Sequence, residues 1–207
     1  MKRIVHVGLY DTFADWEVGH ATAHLRNGYW HQDSGDSEGF EIVYVGRTLD
    51  PVTSIGGLRA LPDITLDQLS PEESAMLILP GAELWETGGL DDFGRKAAEF
   101  ITAGVPVAAI CGAVVGLAAQ GQLNGRPHTG NVKFFLEQQE GYTGGDLYVE
   151  ADAVTGDKVI TAGGTDPEAF AREIFATLDV YKPDVLDAWF RLFHDSDPSA
   201  FEVLSTA

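Results

Sequence analysis

Apolar and polar positions alternate along the chain in blocks that switch between strand-like and helix-like periods. Ile4–Leu9 is a β-branched run that predicts a first strand, followed by a helix over Asp15–Arg26 with Trp16 and Ala23 among its apolar positions. Glu41–Val45 predicts a second strand. Val52–Ser54 and Leu58–Ala60 flank Gly56-Gly57 and predict a small hairpin. Met76–Leu79 is a short apolar strand stopped by Pro80-Gly81, and Phe93–Ala103 is a helix closed by Gly104. Val105–Ile110 is apolar throughout, as a parallel strand covered on both faces requires. Helices over Gly112–Gln120 and Val132–Gln139 follow, then a hairpin of Val149–Val154 and Lys158–Thr161 around Thr155-Gly156-Asp157. Pro167–Leu178 and Asp184–His194 complete the set as amphipathic helices. Strands separated by helices predict a three-layer α/β/α sandwich with a mostly parallel central sheet.

Composition narrows the function classes. With 207 residues the chain fits one domain, with a polar surface insertion at about 29–39 and a C-terminal helical extension over about 182–207. Acidic residues outnumber basic ones 32 to 13, a formal net charge of -19. Such a surface repels phosphate backbones and anionic lipid heads, so neither nucleic acid nor membrane is expected as a partner. The first residues turn polar too soon for a signal peptide, and no apolar run approaches a membrane span, so a cytoplasmic location is expected.

Cys111 is the sole cysteine, which excludes an internal disulfide, a cysteine-based zinc finger and an iron–sulfur cage. It lies where the apolar strand runs into a helix, with the small residues Ala109 and Ala113 two places either side. This is the small-x-nucleophile-x-small pattern of a nucleophile elbow, whose tight turn tolerates only small flanks. Placed at a helix N-terminus, the thiol is expected to have a lowered pKa. Pro80-Gly81 ends a neighbouring strand and can free N–H groups for an oxyanion. Asp15-Trp16-Glu17 follows strand 1 at the same carboxyl edge of the sheet, where open α/β sheets carry their sites. Trp16, Trp85, His128 and the Tyr29–Gly39 segment are the expected pocket walls.

These segments resemble the DJ-1/PfpI family of the class I glutamine amidotransferase-like superfamily. The likeness spans roughly Lys2 to Leu178 and rests on Phe13-Ala-Asp-Trp-Glu17, Leu79-Pro-Gly81, Ala109-Ile-Cys-Gly-Ala113 and Pro127-His-Thr-Gly-Asn131 in that order. It implies a flavodoxin-like, amidotransferase-like fold and a homodimer. It also implies Cys111 as nucleophile, Glu17 sharing a proton or hydrogen bond with the sulfur and itself tending to be protonated, His128 as acid/base, and the N–H groups of Gly81, Ala82 and Gly112 as oxyanion hole. The implied chemistry is that of a cysteine-dependent hydrolase or lyase acting on a small electrophile, in the manner of a glyoxalase or deglycase. The alternative is a redox-sensing or stress-response protein whose Cys111 is oxidised. Gly112 stands where PfpI-type proteases carry His, and no later His-x-Glu is present, so peptidase and glutamine-hydrolysing activity rank below these. His20 and His24 share helical spacing with Glu17, but the chain lacks a His-Glu-x-x-His signature. No metal and no other cofactor is assigned.

Overall fold

A computed structural model describes residues 3–32 and 39–207. Most of the polar insertion, residues 33–38, therefore lies outside the described residues. Seven strands form one sheet in the order β5-β2-β1-β6-β7-β9-β8. They are β1 (Ile4–Gly8), β2 (Glu41–Gly46), β5 (Ile64–Thr65), β6 (Met76–Leu79), β7 (Val107–Ile110), β8 (Ala153–Gly156) and β9 (Val159–Ala162). All neighbours pair in parallel except β8 and β9, an antiparallel hairpin at one edge. A separate hairpin joins β3 (Val52–Thr53) to β4 (Arg59–Ala60).

Alternation of side chains along the parallel strands feeds two apolar layers. On one face Val5, Val7, Ile78, Ile110 and Ile160 pack with α1 (Gly19–Asn27), α5 (Pro167–Thr177) and α6 (Pro183–Phe193). Trp189 of α6 is fully buried in that layer, so the C-terminal extension is part of the core, together with the short α7 (Phe201–Leu204). On the other face Leu77, Leu79, Val107 and Ala109 pack with α2 (Asp91–Thr102) and α3 (Gly112–Ala119). A short α4 (Lys133–Glu137) follows.

The differences from the sequence pattern have local causes. The first helix starts at Gly19, not Asp15. Residues 11–18 form turns because Thr12 takes a positive φ of 63° and the Ala14 N–H donates to Gly81 O at 2.9 Å. The late hairpin turns at Asp157-Lys158, both at positive φ (48° and 67°), the combination of a type I′ turn. Gly156 consequently belongs to β8, and residues 149–152 lie outside the strand. The two-residue edge strand β5 had no period long enough to be read.

The chain leaves β1 first for β2 on one side and later for β6 on the other. The carboxyl ends of β1 and β6 thus flank a topological switch point, the crevice where open α/β sheets bind ligands.

Close packing behind the switch point yields a direct test. A Cβ on Gly116 of α3 would fall within the ring of Trp85, which is itself buried and held by hydrogen bonds from Nε1 to Pro80 O at 3.0 Å and to Tyr10 Oη at 3.2 Å. Gly116→Ala is expected to lower stability by about 1–3 kcal/mol in urea titration, despite the better helix propensity of Ala. An unchanged midpoint would mean that Trp85 is free to move.

Candidate active site at the Cys111 elbow

Four loops at the carboxyl ends of parallel strands meet around Cys111. β7 runs directly into α3 through Cys111, whose backbone sits at φ 58°, ψ -126°. A non-glycine residue is strained there, at a cost of about 1–3 kcal/mol. The Cys111 N–H donates to Ala162 O at 3.0 Å and the Val114 N–H donates to Cys111 O at 3.1 Å, so β9 and α3 hold the turn from both sides. Ala109 and Ala113 are fully buried, as the elbow pattern requires. The sulfur is left half-buried.

Glu17 comes from the turn after β1 and is completely buried. Its Oε2 accepts the Gly81 N–H at 2.6 Å. Because Gly81 O in turn accepts from Ala14, the β1 and β6 turns clamp each other through one residue. Glu17 Oε1 has no nitrogen or hydroxyl partner among the described residues and faces the sulfur. Two glycines make this approach possible. A Cβ on Gly81 would lie 2.8 Å from Cys111 Cβ and 2.9 Å from Glu17 Oε2. A Cβ on Gly164, in the loop after β9, would lie 3.0 Å from Cys111 Sγ and 3.1 Å from Glu17 Oε1. Any side chain at either position would separate the thiol from the carboxyl.

Burial lifts the Glu17 pKa to about 7, opposed by the Gly81 N–H and by the thiol. The Cys111 thiol is also pushed up: burial is the main cause and the Glu17 charge the next. The Asn131 amide and the Gly112 N–H pull it back without reversing the shift. This corrects the lowered thiol pKa expected from the helix N-terminus alone. The dipole acts, but desolvation and a facing carboxylate outweigh it. Burial and the Glu17 charge thus both disfavour the thiolate.

The remaining predicted residues divide. Gly81 does not offer a free oxyanion donor, since Glu17 takes its N–H; Ala82 and Gly112 remain of the three. Ala82 is extended (φ -159°, ψ 155°), so its Cβ imposes no strain. His128 is fully buried and does not line the cavity around Cys111. One ring nitrogen, Nδ1, pairs with Arg126 O at 2.8 Å and the other, Nε2, with Tyr142 Oη at 2.7 Å. Both nitrogens are thus committed to the fold, and an acid/base role for His128 finds no geometry here. Trp85 lies behind α3 rather than in the cavity wall.

Asn131, three residues beyond His128, stands at the sulfur instead. Its Nδ2 donates to Cys111 Sγ at 3.2 Å, while its Oδ1 accepts the Gly164 N–H at 2.8 Å. The Pro127–Asn131 segment pointed to this place, but only the parallel bridge between His128 and Tyr148 decides which of its side chains faces the sulfur. Trp16 completes the rim: half its surface is exposed, and its Nε1 donates to Gly164 O at 3.2 Å. The resulting cavity holds about 390 Å³ and is lined by Trp16, Glu17, Cys111, Asn131, Gly164 and the Thr165-Asp166 stretch, among others.

His20 and His24 form no such site. Their rings stack at 6.3 Å and pack edge-on against Trp189 and Phe193, and His24 Nε2 accepts from Trp189 Nε1 at 3.3 Å. Among the described residues no three His, Cys, Asp or Glu side chains are grouped as a metal ion needs.

With this geometry in view, comparison with known proteins is decisive. The chain matches the DJ-1/PfpI family over residues 2–177. It belongs to that family. It is 35% identical to the Bacillus subtilis (strain 168) protein named Uncharacterized protease YoaZ, over 99% of this chain and 97% of that protein. The crystal structure of a thiJ/pfpI family protein from Bacillus anthracis superposes with a TM-score of 0.93 at 32% identity, covering 100% of this chain and 97% of the other. The Caenorhabditis elegans protein named Glutathione-independent glyoxalase DJR-1.2 is 25% identical over 68% of this chain and 75% of its own length. Within the DJ-1/PfpI family, then, this member pairs its elbow cysteine with a buried glutamate and an asparagine.

The Glu17 pKa has a measurable cost. A carboxyl raised from 4.5 to about 7 on folding binds more protons in the native than in the unfolded state between those values. Its contribution therefore lowers stability as pH rises from about 4.5 to about 7, by about 3 kcal/mol in total. His6 and His24, both lowered by burial to about 4, act in the opposite direction over the lower part of that range. The difference between wild type and Glu17→Gln removes the histidine part. That difference should grow across this window in favour of the variant when chemical denaturation is followed against pH; a flat difference would mean that Glu17 ionises freely.

Proposed function

We propose that the protein is a cysteine-dependent enzyme acting on small electrophilic carbonyl compounds, with glyoxalase-like conversion of an α-ketoaldehyde as the leading case. One observation carries this reading: a fully buried carboxyl with a pKa near 7 faces the elbow thiol, with no other hydrogen-bond donor on that oxygen. A group that ionises near neutrality is suited to take up and return a proton.

In this scheme ionised Glu17 removes the Cys111 proton as the sulfur attacks the aldehyde carbon. The new C–S bond leaves negative charge on the carbonyl oxygen, which the Ala82 and Gly112 N–H groups receive. Glu17 returns its proton to that oxygen, giving a hemithioacetal. Transfer of the proton on that carbon to the adjacent keto carbon, and of the hemithioacetal hydroxyl proton to the keto oxygen, turns the adduct into a thioester. Water then cleaves the C–S bond and releases a 2-hydroxy acid and the thiol, so the net reaction is addition of water. Asn131 orients the sulfur by donating to it and anchors the Gly164 loop against the pair.

The raised thiol pKa weighs against the rival redox-sensor reading. Peroxide reacts with thiolate, and burial together with the Glu17 charge disfavours that form.

Methylglyoxal consumption at neutral pH provides the test. Wild type should turn over; Cys111→Ser should fall to background, and Glu17→Gln should lose about 10²–10⁴-fold in kcat. His128→Gln should lower thermal stability while leaving kcat of the folded fraction within a few-fold. Retained turnover in Cys111→Ser would refute the nucleophile assignment.

A further inference from the structure

We propose that the Cys111 cavity selects by charge: it admits neutral and cationic electrophiles and disfavours those that carry a carboxylate, with Asp166 as the discriminating residue. This goes beyond the reading above and rests on it only in taking Cys111 as the reacting group.

Among the described residues no Lys, Arg or His lines the cavity, while two carboxyl groups, Glu17 and Asp166, do. Asp166 directly precedes α5 and belongs to the same short loop that packs Gly164 on the sulfur. Its Oδ2 accepts from Thr165 Oγ1 at 2.8 Å and lies 3.1 Å from where a Cβ on Gly163 would be, so the carboxylate is held beside that loop. It caps no N–H of α5.

The position matters because the start of the eleven-residue α5 is, besides the α3 terminus that carries Cys111, a feature at this cavity that would welcome an anion. Asp166 occupies that end, while Glu168 of the first turn lies outside the cavity lining, beside His20 Nε2 at 3.4 Å. The nearby Lys133 is engaged elsewhere, with Glu137 at 3.6 Å. A carboxylate on the substrate would therefore meet fixed negative charge, with no cation among the described residues of the cavity wall to answer it. Trp16 works in the same direction. Its N–H is spent on Gly164 O, leaving the indole ring at the mouth, a surface that attracts cations and tolerates neutral groups. The net charge of -19 extends the same bias to the approach.

Alkylation of Cys111 reads this selection without requiring turnover. In each reaction the thiolate forms an S–C bond and iodide leaves; iodoacetamide is neutral and iodoacetate is an anion of similar size. Rates are followed by intact-mass spectrometry at one pH and low ionic strength. The iodoacetamide-to-iodoacetate rate ratio for wild type should exceed that of 2-mercaptoethanol by about fivefold or more. Asp166→Asn should bring the ratio down at least about twofold by speeding iodoacetate, with the iodoacetamide rate little changed. Glu17 remains in that variant, so the ratio should not fall all the way to that of the free thiol.

If Asp166→Asn proves unstable, wild type alone decides: its ratio should fall as sodium chloride is added, through screening. A wild-type ratio no greater than that of 2-mercaptoethanol, a ratio indifferent to salt, or a folded Asp166→Asn protein with the wild-type ratio would each overturn the proposal. Failure of methylglyoxal turnover with the ratio intact would sink the glyoxalase reading and leave charge selection standing.

Discussion

The hydrogen bond from the Gly81 N–H to Glu17 Oε2, 2.6 Å long and out of reach of water, is the interaction on which the site depends. It fixes a carboxyl group in a buried place, where desolvation lifts its pKa to about 7 even though the bond itself pulls the other way. It also turns the second oxygen of that carboxyl toward the Cys111 sulfur. The same residue, Gly81, ties down the β1 turn by accepting from Ala14, so the carboxyl and the loop that carries it are set together. Glycine at 81 and 164 leaves room for the pair, because a Cβ at either place would crowd both Cys111 and the Glu17 carboxyl. The strained Cys111 backbone belongs to the same arrangement. β9 and α3 hold it by hydrogen bonds, and the strain keeps the sulfur at the surface of the sheet edge rather than inside α3.

What this pair lacks is as informative as what it contains. A cysteine paired with a histidine gains a cation that favours thiolate. Here the neighbour is an acid, the sulfur is half-buried, and the two groups compete for one negative charge. Burial and the facing carboxylate both disfavour the thiolate, and in the proposed mechanism the carboxyl serves as the base and the thiol as the proton donor. Asn131 offsets the competition in part by donating to sulfur, and its other end holds the Gly164 loop. The two carboxyl groups at the cavity and the acid-rich surface carry the same sign of charge.

Much of this was legible in the sequence because it is written in short, local patterns. The run Val107–Ile110 into Cys111, the small flanks Ala109 and Ala113, and the Pro80-Gly81 stop are each contiguous, and each appears where expected. Glu17 was also legible, though as a helix residue; the helix begins only at Gly19, because the exchange of hydrogen bonds with Gly81 holds the preceding turn open. The residues that were misread depend on pairing between distant segments. His128 and Asn131 sit three apart in one loop, and the bridge to Tyr148 together with the Tyr142 hydroxyl turns the histidine into the fold and the asparagine toward sulfur. The role of Gly164 arises from contact with residues 53 and 147 positions away, which no local pattern encodes. The thiol pKa was misjudged for a similar reason: a helix terminus is visible in sequence, whereas burial and a facing carboxylate are not.

The central claim is that Glu17 governs the ionisation of Cys111. Titrating the thiolate by its ultraviolet absorbance, in wild type and in Glu17→Gln, measures that coupling directly. With the carboxylate charge removed, the Cys111 midpoint should move to lower pH than in wild type. An unchanged or higher midpoint in a folded Glu17→Gln protein would contradict the account.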